Sequence, residues 1–227
     1  HGTEVVLNCA AKKQKPVLIA STSEVYGKNT KLPYAEDDDL RLGPTSHSRW
    51  AYACSKALDE WLGLAYFREK RVPVTICRFF NTVGPRQTGH YGMVLPSFAG
   101  QAVRNAPITV YGTGEQMRCF VHVNDAVEGV MRLMAEPKAA GEVFNIGTNR
   151  EVTINELARI VREAAGSSSE IVHIPYEKAY APGFEDMMQR MPDTRKLARF
   201  TGFTPSTTLE QIVADVVAYQ RAGLKAA

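Results

Sequence analysis

The chain has 227 residues, 44% hydrophobic and 22% charged, with a formal net charge of +3. That length and balance suit a globular protein with a sizeable core, and so small a charge excludes reading the surface as a nucleic-acid footprint. No apolar run approaches the ~20 residues of a membrane span, and the opening residues carry no signal-peptide pattern.

Helical and strand patterns alternate along the chain. Thr3 to Lys13 reads as a helix and Val17 to Thr22 as a buried strand. Residues 27–48 read as a long polar loop whose acidic run, Glu36 to Asp39, faces solvent. Trp50 to Lys70 reads as a long helix with Leu58, Trp61, Leu62, Ala65 and Tyr66 on its apolar side. Val74 to Phe80 reads as a strand between Pro73 and Asn81. This βαβ rhythm predicts a parallel sheet covered on both faces.

After Gly84-Pro85-Arg86 glycine and proline become frequent. A helix is expected over Leu95 to Arg104, with short strands near Ile108–Tyr111 and Arg118–Val121. Asn124 to Met134 reads as a helix capped by Asn124 or Asp125, and Glu142 to Ile146 as a strand. Thr153-Ile154-Asn155-Glu156 has the form of a capping box. Ile171 to Ile174 reads as a strand, residues 175–192 as a loop, and segments near 193–199 and 208–222 as helices.

Cys9, Cys54, Cys77 and Cys119 are widely spaced, three of them in apolar or small-residue surroundings. They read as free thiols in a reducing cytoplasm. His1, His47, His90, His122 and His173 have no ligand spacing, so no metal is expected.

Chemistry concentrates where the first strand ends, at Ser21-Thr22-Ser23-Glu24-Val25-Tyr26-Gly27. An α/β sheet places its sites at the carboxyl ends of strands. Tyr52 and Lys56 follow, four apart and so on one helix face. Tyr66 and Lys70 match the same spacing by chance, but lie near the charged helix end, and Tyr66 reads as packing. Oxidising an alcohol needs a base for the hydroxyl proton while hydride leaves for an acceptor. A free phenol, with a pKa of ~10, is a poor base at neutral pH, and a nearby ammonium favours its ionised form. Thr22 and Ser23 can hydrogen-bond the reacting oxygen, or merely cap the strand end. Glu24 adds a carboxylate for proton management or charge steering, unless it is only a turn residue.

These stretches, with Arg78-Phe79-Phe80-Asn81-Thr82-Val83-Gly84-Pro85-Arg86 and Phe144-Asn145-Ile146-Gly147, resemble the extended short-chain dehydrogenases, the NAD-dependent epimerase/dehydratase family acting on nucleotide sugars. The resemblance runs from Gly2 to about Tyr219. It implies an α/β fold, the C-terminal part of a Rossmann-type parallel sheet with a smaller α/β substrate-binding domain. Residues 1–82 and 119–147 would be the remainder of the NAD-binding domain, and 83–118 and 148–227 the nucleotide-sugar domain. It implies NAD as cofactor, with Ala20, Ser21, Tyr52, Lys56 and Phe79 around it. It implies Thr22 as catalytic hydroxyl, Tyr52 as base and Lys56 as its partner, with Ser23 and Glu24 beside them. Asn81 and Arg118 would contact the substrate diphosphate, with Arg86 and the Tyr111-Gly112-Thr113-Gly114 loop near the nucleotide.

The reaction is left open between readings. Dehydratases of this family place Asp where Ser23 stands, which counts against dehydration. Thr22-Ser23-Glu24, the stretch Ser48 to Lys56, and Arg190 as a holder of the sugar carboxylate resemble UDP-glucuronate decarboxylases. The surroundings Gly183-Phe184-Glu185-Asp186 through Asp193 also resemble sugar 4-epimerases. Relatives dimerise through the Trp50–Lys70 helix, which implies a homodimer. No Gly-x-Gly-x-x-Gly occurs, and the chain opens inside a helical pattern. At ~30 residues per βαβ unit, roughly a hundred residues of such a fold are expected ahead of His1. The 227-residue chain alone is therefore expected to be a nucleotide-sugar-binding fragment that neither holds NAD tightly nor turns over.

Overall fold

The computed structural model describes residues 1–89, 93–179 and 187–225. The chain runs through α1 (Gly2–Lys13), β1 (Val17–Thr22), a 3-10 turn (Ser23–Tyr26), α2 (Arg49–Lys70), β2 (Val74–Phe79), β3 (Thr82–Val83), α3 (Val94–Val103) and β4 (Ile108–Tyr111). It continues through β5 (Met117–Cys119), β6 (Val121–His122), α4 (Val123–Ala135), β7 (Val143–Ile146), β8 (Glu151–Thr153), α5 (Ile154–Ala164) and β9 (Ile171–Ile174). It ends with α6 (Tyr176–Ala179), β10 (Gln189–Arg190), α7 (Arg195–Thr201) and α8 (Leu209–Lys225).

The expected parallel sheet is present, in the order β1-β2-β7. Val17 pairs with Val74 and the register runs to Thr22 opposite Phe79, so both strands end at one level. On one face Leu7, Ile19, Tyr66, Val74 and Ile76 form a core beneath α1 and α2. On the other, Cys77, Phe144 and Ile146 pack with Ala126 and Leu133 of α4 and Leu197 of α7. A third core joins α3, α5 and α8 around Leu95, Phe98, Leu157, Val161, Ile212 and Val216. Further pairings are β3 with β6, β4 with β9, and β10-β5-β8, in which β10 runs parallel to β5 and β8 antiparallel.

Helix α2 approaches β1 closely because position 63 is glycine. A Cβ there would lie 2.4 Å from Ile19 Cδ1. Below the strand ends, a buried ion pair fixes the helix further. Arg78 Nη2 donates to Glu60 Oε2 at 2.7 Å and Arg78 Nε to Oε1 at 2.9 Å. The Ser21 hydroxyl donates to the same carboxylate, and Arg78 Nη1 donates to the Glu36 carbonyl at 3.0 Å. A second polar layer centres on buried Asn145, which accepts from Tyr26 Oη at 2.7 Å and donates to the Tyr34 carbonyl at 2.8 Å.

Several expectations are corrected. The buried side of α2 holds Trp50, Ala53, Ala57, Glu60, Gly63 and Tyr66, whereas Leu58 and Trp61 are each 61% exposed. The acidic run is only partly solvated. Glu36 Oε1 accepts from the Asn145 amide at 2.8 Å, and Asp38 takes the Ala35 amide and the Lys31 ammonium. Helix α4 is capped by His122, whose Nδ1 accepts from the Asn124 amide at 3.1 Å. Asp125 instead binds the Ser206 and Thr207 amides ahead of α8. The strand expected over Arg118–Val121 is divided between β5 and β6 at Phe120. The expected loop over residues 175–192 contains α6 and β10, while 180–186 lie outside the described residues. Thr153 does cap α5, accepting from the Glu156 amide at 3.0 Å.

Two thiols are buried and two exposed, not three buried as the surroundings suggested. Burial pushes Cys77 and Cys119 from the ordinary 9.0 up to about 12, with the nearby Glu151 charge adding to the rise at Cys119. At pH 8 that lowers their thiolate fraction about a thousandfold. A disulfide reagent should therefore titrate Cys9 and Cys54 in the native protein and reach Cys77 and Cys119 only after denaturation. Glu60→Ala should lower the stability to urea by about 3–5 kcal/mol, because it strands the buried Arg78 charge. The double variant Glu60→Leu/Arg78→Met should be more stable than that single variant. A single variant as stable as the parent would show that Arg78 finds other partners.

Candidate active site

Strand β1 runs out at Thr22 and the chain turns at once into the 3-10 turn. Thr22 stands at the turn's start and its Oγ1 accepts from the Glu24 amide at 3.3 Å. This is the capping role, and the hydroxyl hydrogen is still free to donate. The turn brings Thr22, Ser23 and Glu24 to the wall of a cleft of about 410 Å3. Tyr52, Phe79, Asn81 and Arg190 line the same cleft. Residues from β1, α2, β2 and β10 thus meet at the carboxyl end of the parallel sheet.

Tyr52 is 53% exposed and opens onto the cleft from the first turn of α2. One turn on, Lys56 Nζ donates to the Ala20 carbonyl at 2.9 Å. An ammonium has three donors, and among the described residues this one has a single acceptor. The remaining donors, beside a half-exposed phenol and the exposed Ala20, suit the hydroxyls of a ribose. Tyr66, by contrast, is 8% exposed and donates to Asn8, so it packs as expected.

Glu24 is the electrostatic centre. Arg49 Nη2 reaches its Oε2 at 3.0 Å and its Oε1 at 3.3 Å, and Arg190 Nη1 donates to Oε1. Burial pushes the Glu24 carboxyl up, but Arg190 and then Arg49 outweigh it and hold it below the ordinary 4.5. Its stabilising contribution is complete above that ordinary value and is lost as pH falls through the lower native one. Arg190, expected to face a sugar carboxylate, is thus engaged first by Glu24. Its Nε is buried without a hydrogen-bond partner among the described residues.

The other expected residues make contacts of their own. The Ser21 hydroxyl turns inward to Glu60. Asn81 lines the cleft, yet its amide nitrogen donates to the Cys119 carbonyl at 2.8 Å. Arg86 is exposed in a turn at φ 69, and Tyr111 is 40% exposed at the end of β4, neither of them lining the cleft. Arg118 is buried on β5, where its Nη1 donates to the Met117 carbonyl, and it too stands outside the cleft lining. Arg49 and Gln87 belong to the site but escaped the sequence reading. Arg49 was detectable in principle, since it precedes Tyr52 by three residues on one helical face.

Comparisons with known proteins agree with this geometry. Residues 1–147 match the family described as "NAD dependent epimerase/dehydratase family". The chain is 45% identical over 221 residues to the UDP-N-acetyl-alpha-D-glucosaminuronate decarboxylase of Bacillus cytotoxicus, covering 97% of this chain and 68% of that protein. It is 38% identical over 210 residues to UDP-glucuronic acid decarboxylase 4 of Arabidopsis thaliana, covering 92% of this chain and 45% of that protein. The crystal structure of UDP-glucose 4-epimerase from Thermotoga maritima, with UDP-glucose, matches with a TM-score of 0.87 at 29% identity, covering 98% of this chain and 69% of that one. The chain therefore spans between about half and two thirds of these relatives. With a strand-end hydroxyl, a Tyr-x-x-x-Lys helix and matches of this extent, the chain belongs to the NAD-dependent epimerase/dehydratase family.

Proposed function

We propose that the protein oxidises C4 of a UDP-sugar with NAD+ and decarboxylates a UDP-uronic acid, UDP-glucuronate or its 2-acetamido counterpart. The observation that carries this reading is that Glu24, which lines the cleft with Tyr52 and Arg190, is held by two guanidiniums, those of Arg190 and Arg49. Two guanidiniums at one carboxylate leave an excess of positive charge, which suits an acidic sugar. The first two cores would then form the cofactor-binding domain and the third the sugar-binding one.

NAD, when bound, supplies a hydride acceptor and later returns the hydride. Lys56 would hold its ribose, and Phe79, which lines the cleft, would pack against it. Tyr52 takes the proton from the sugar O4, while Thr22 donates a hydrogen bond to that oxygen. The resulting 4-ketone makes the C6 carboxylate a β-keto acid. The C5–C6 bond breaks, CO2 departs, and the electron pair moves to O4 as an enolate that both hydroxyls can stabilise. A proton then adds at C5.

A second reading is a UDP-sugar 4-epimerase, favoured by the close likeness to the Thermotoga maritima enzyme. A third, a chain that binds nucleotide sugar without turnover, predicts affinity and no product.

The full natural polypeptide carrying this sequence is incubated with NAD+ and each acidic UDP-sugar, and products are followed by mass spectrometry. Loss of CO2 supports decarboxylation. Unchanged mass with a new stereoisomer, or no reaction, sinks it. Tyr52→Phe should lower turnover by about 10²–10⁴-fold with little change in substrate affinity. We also propose a homodimer that covers the exposed Leu58 and Trp61 on α2. Trp61→Glu should shift the protein to monomer in light scattering, and an unchanged mass would place the contact elsewhere.

A further inference from the structure

Strand β10 brings Arg190 into the cleft on only two residues, against about three to ten in most strands. The Met117 amide of β5 donates to the Met188 carbonyl just ahead of it at 2.7 Å. Beyond it, the Tyr34 amide donates to the Met191 carbonyl at 2.8 Å. So short a ladder fixes a strand weakly, and side chains decide how firmly β10 is held.

The register shows which side chains do so. Gln189 stands opposite Met117, and Arg190 opposite Arg118. On the far side of β5, Cys119 stands opposite Glu151 and Arg118 opposite Val152. Side chains alternate between the faces of a sheet, and cross-strand partners share one. Gln189, Met117, Cys119 and Glu151 therefore lie on one face, and Arg190, Arg118 and Val152 on the other. Arg190 turns to Glu24 and the cleft, while Gln189 turns to the reverse face.

On that reverse face, Gln189 Nε2 donates to Glu151 Oε2 at 2.7 Å. The bond crosses β5 from one flanking strand to the other, over two inter-strand spacings of about 10 Å in all. Only two long side chains can close that span, and a hydrogen bond to a carboxylate is of the strong kind. The second carboxylate oxygen, Oε1, is buried with no hydrogen-bond partner among the described residues. An unpartnered buried oxygen costs free energy, and apolar residues in place of such a pair would cost less. Stability alone does not account for a glutamate at this position, whereas holding β10 does.

We propose that Glu151 is a positioning residue that, through Gln189, clamps β10 across β5 and so fixes where Arg190 enters the cleft. The clamp is read from contacts alone, and its consequence for the sugar rests on the decarboxylase reading. Tyr52, Lys56 and Thr22 stand on α2 and β1, outside this three-stranded sheet. Loosening β10 therefore weakens sugar binding and leaves the proton-transfer groups in place, which raises KM more than it lowers kcat.

Two measurements on the full natural polypeptide test the clamp. The first is native-state amide hydrogen exchange without ligand. Glu151→Ala should speed exchange at Met117 about tenfold, while Ile76, whose amide donates to the Glu142 carbonyl in the parallel sheet, keeps its rate. Glu151→Gln, which keeps an oxygen to accept from Gln189, should restore the protection. Unchanged exchange at Met117, or a rise shared equally by Ile76, overturns the proposal. The second follows CO2 release from UDP-glucuronate and its 2-acetamido counterpart. Glu151→Ala should raise KM about tenfold with kcat within about twofold, and Glu151→Gln should recover most of the loss. Added to Arg190→Ala, Glu151→Ala should cost nothing further, because the clamp acts through Arg190. If the two losses multiply, or if kcat falls and KM does not rise, the positioning role is overturned while the decarboxylase reading stands. If the parent releases no CO2 from either sugar, that reading falls, and hydrogen exchange alone decides whether Glu151 holds β10.

Discussion

The ion pair between Arg78 and Glu60 is the constraint on which the site's geometry depends. Both side chains are nearly inaccessible, and an arginine cannot shed its charge to escape burial. Pairing them sets α2 so that Glu60 faces β2. Tyr52, Lys56 and Glu60 recur every four residues, so the same setting turns all three along one side of the helix. Glu60 meets Arg78 and Ser21, Lys56 meets the Ala20 carbonyl, and Tyr52 is carried to the cleft. A rotation of α2 by one residue, about 100°, would unpair the buried charges and remove the phenol and the ammonium from the strand ends together.

The second polar layer extends this control to the loop over residues 27–48. Asn145 at the end of β7 joins Tyr26, Tyr34 and the Asp193 carbonyl, while its amide binds Glu36. Tyr26 and Tyr34 stack with centroids 4.6 Å apart, and burial pushes the Tyr26 phenol up to about 12, so it serves as a neutral donor. Through Tyr34 the layer also seats the segment that bears Arg190. Polar groups without direct contact to the cleft therefore determine which side chains meet in it.

Much of the fold was legible because it rests on local signals. The apolar run ending at Thr22, the proline before β2 and the capping pattern at Thr153 each have short-range physical causes, and their elements fall within a few residues of expectation. What escaped depends on distant partners. Glu60, Arg78 and Glu36 are charged, and only the tertiary fold supplies the partners that let them be buried or partly buried. Leu58 and Trp61 are apolar, so sequence alone assigns them to the core, yet α2 turns them outward. At the site, the strand-end hydroxyls, Glu24 and the Tyr52–Lys56 face could be found from spacing. The pairing of Arg49 and Arg190 on one carboxylate could not, because those residues are 141 positions apart and meet only when β10 joins β5. Arg118, on β5 of the same pairing, is buried, which its sequence position did not reveal.

The excess of cationic heads around the cleft also bears on how a ligand arrives. Arg49 and Arg190 hold a single carboxylate, Glu24, leaving one net positive charge beside an opening about 410 Å3 in volume. The diphosphate-bearing sugar proposed as the protein's substrate carries the opposite sign. Its diffusion toward such an opening is guided over roughly the Debye length, about 8 Å at physiological ionic strength. Encounter rate, unlike the chemistry that follows, becomes a property the surrounding salt can tune.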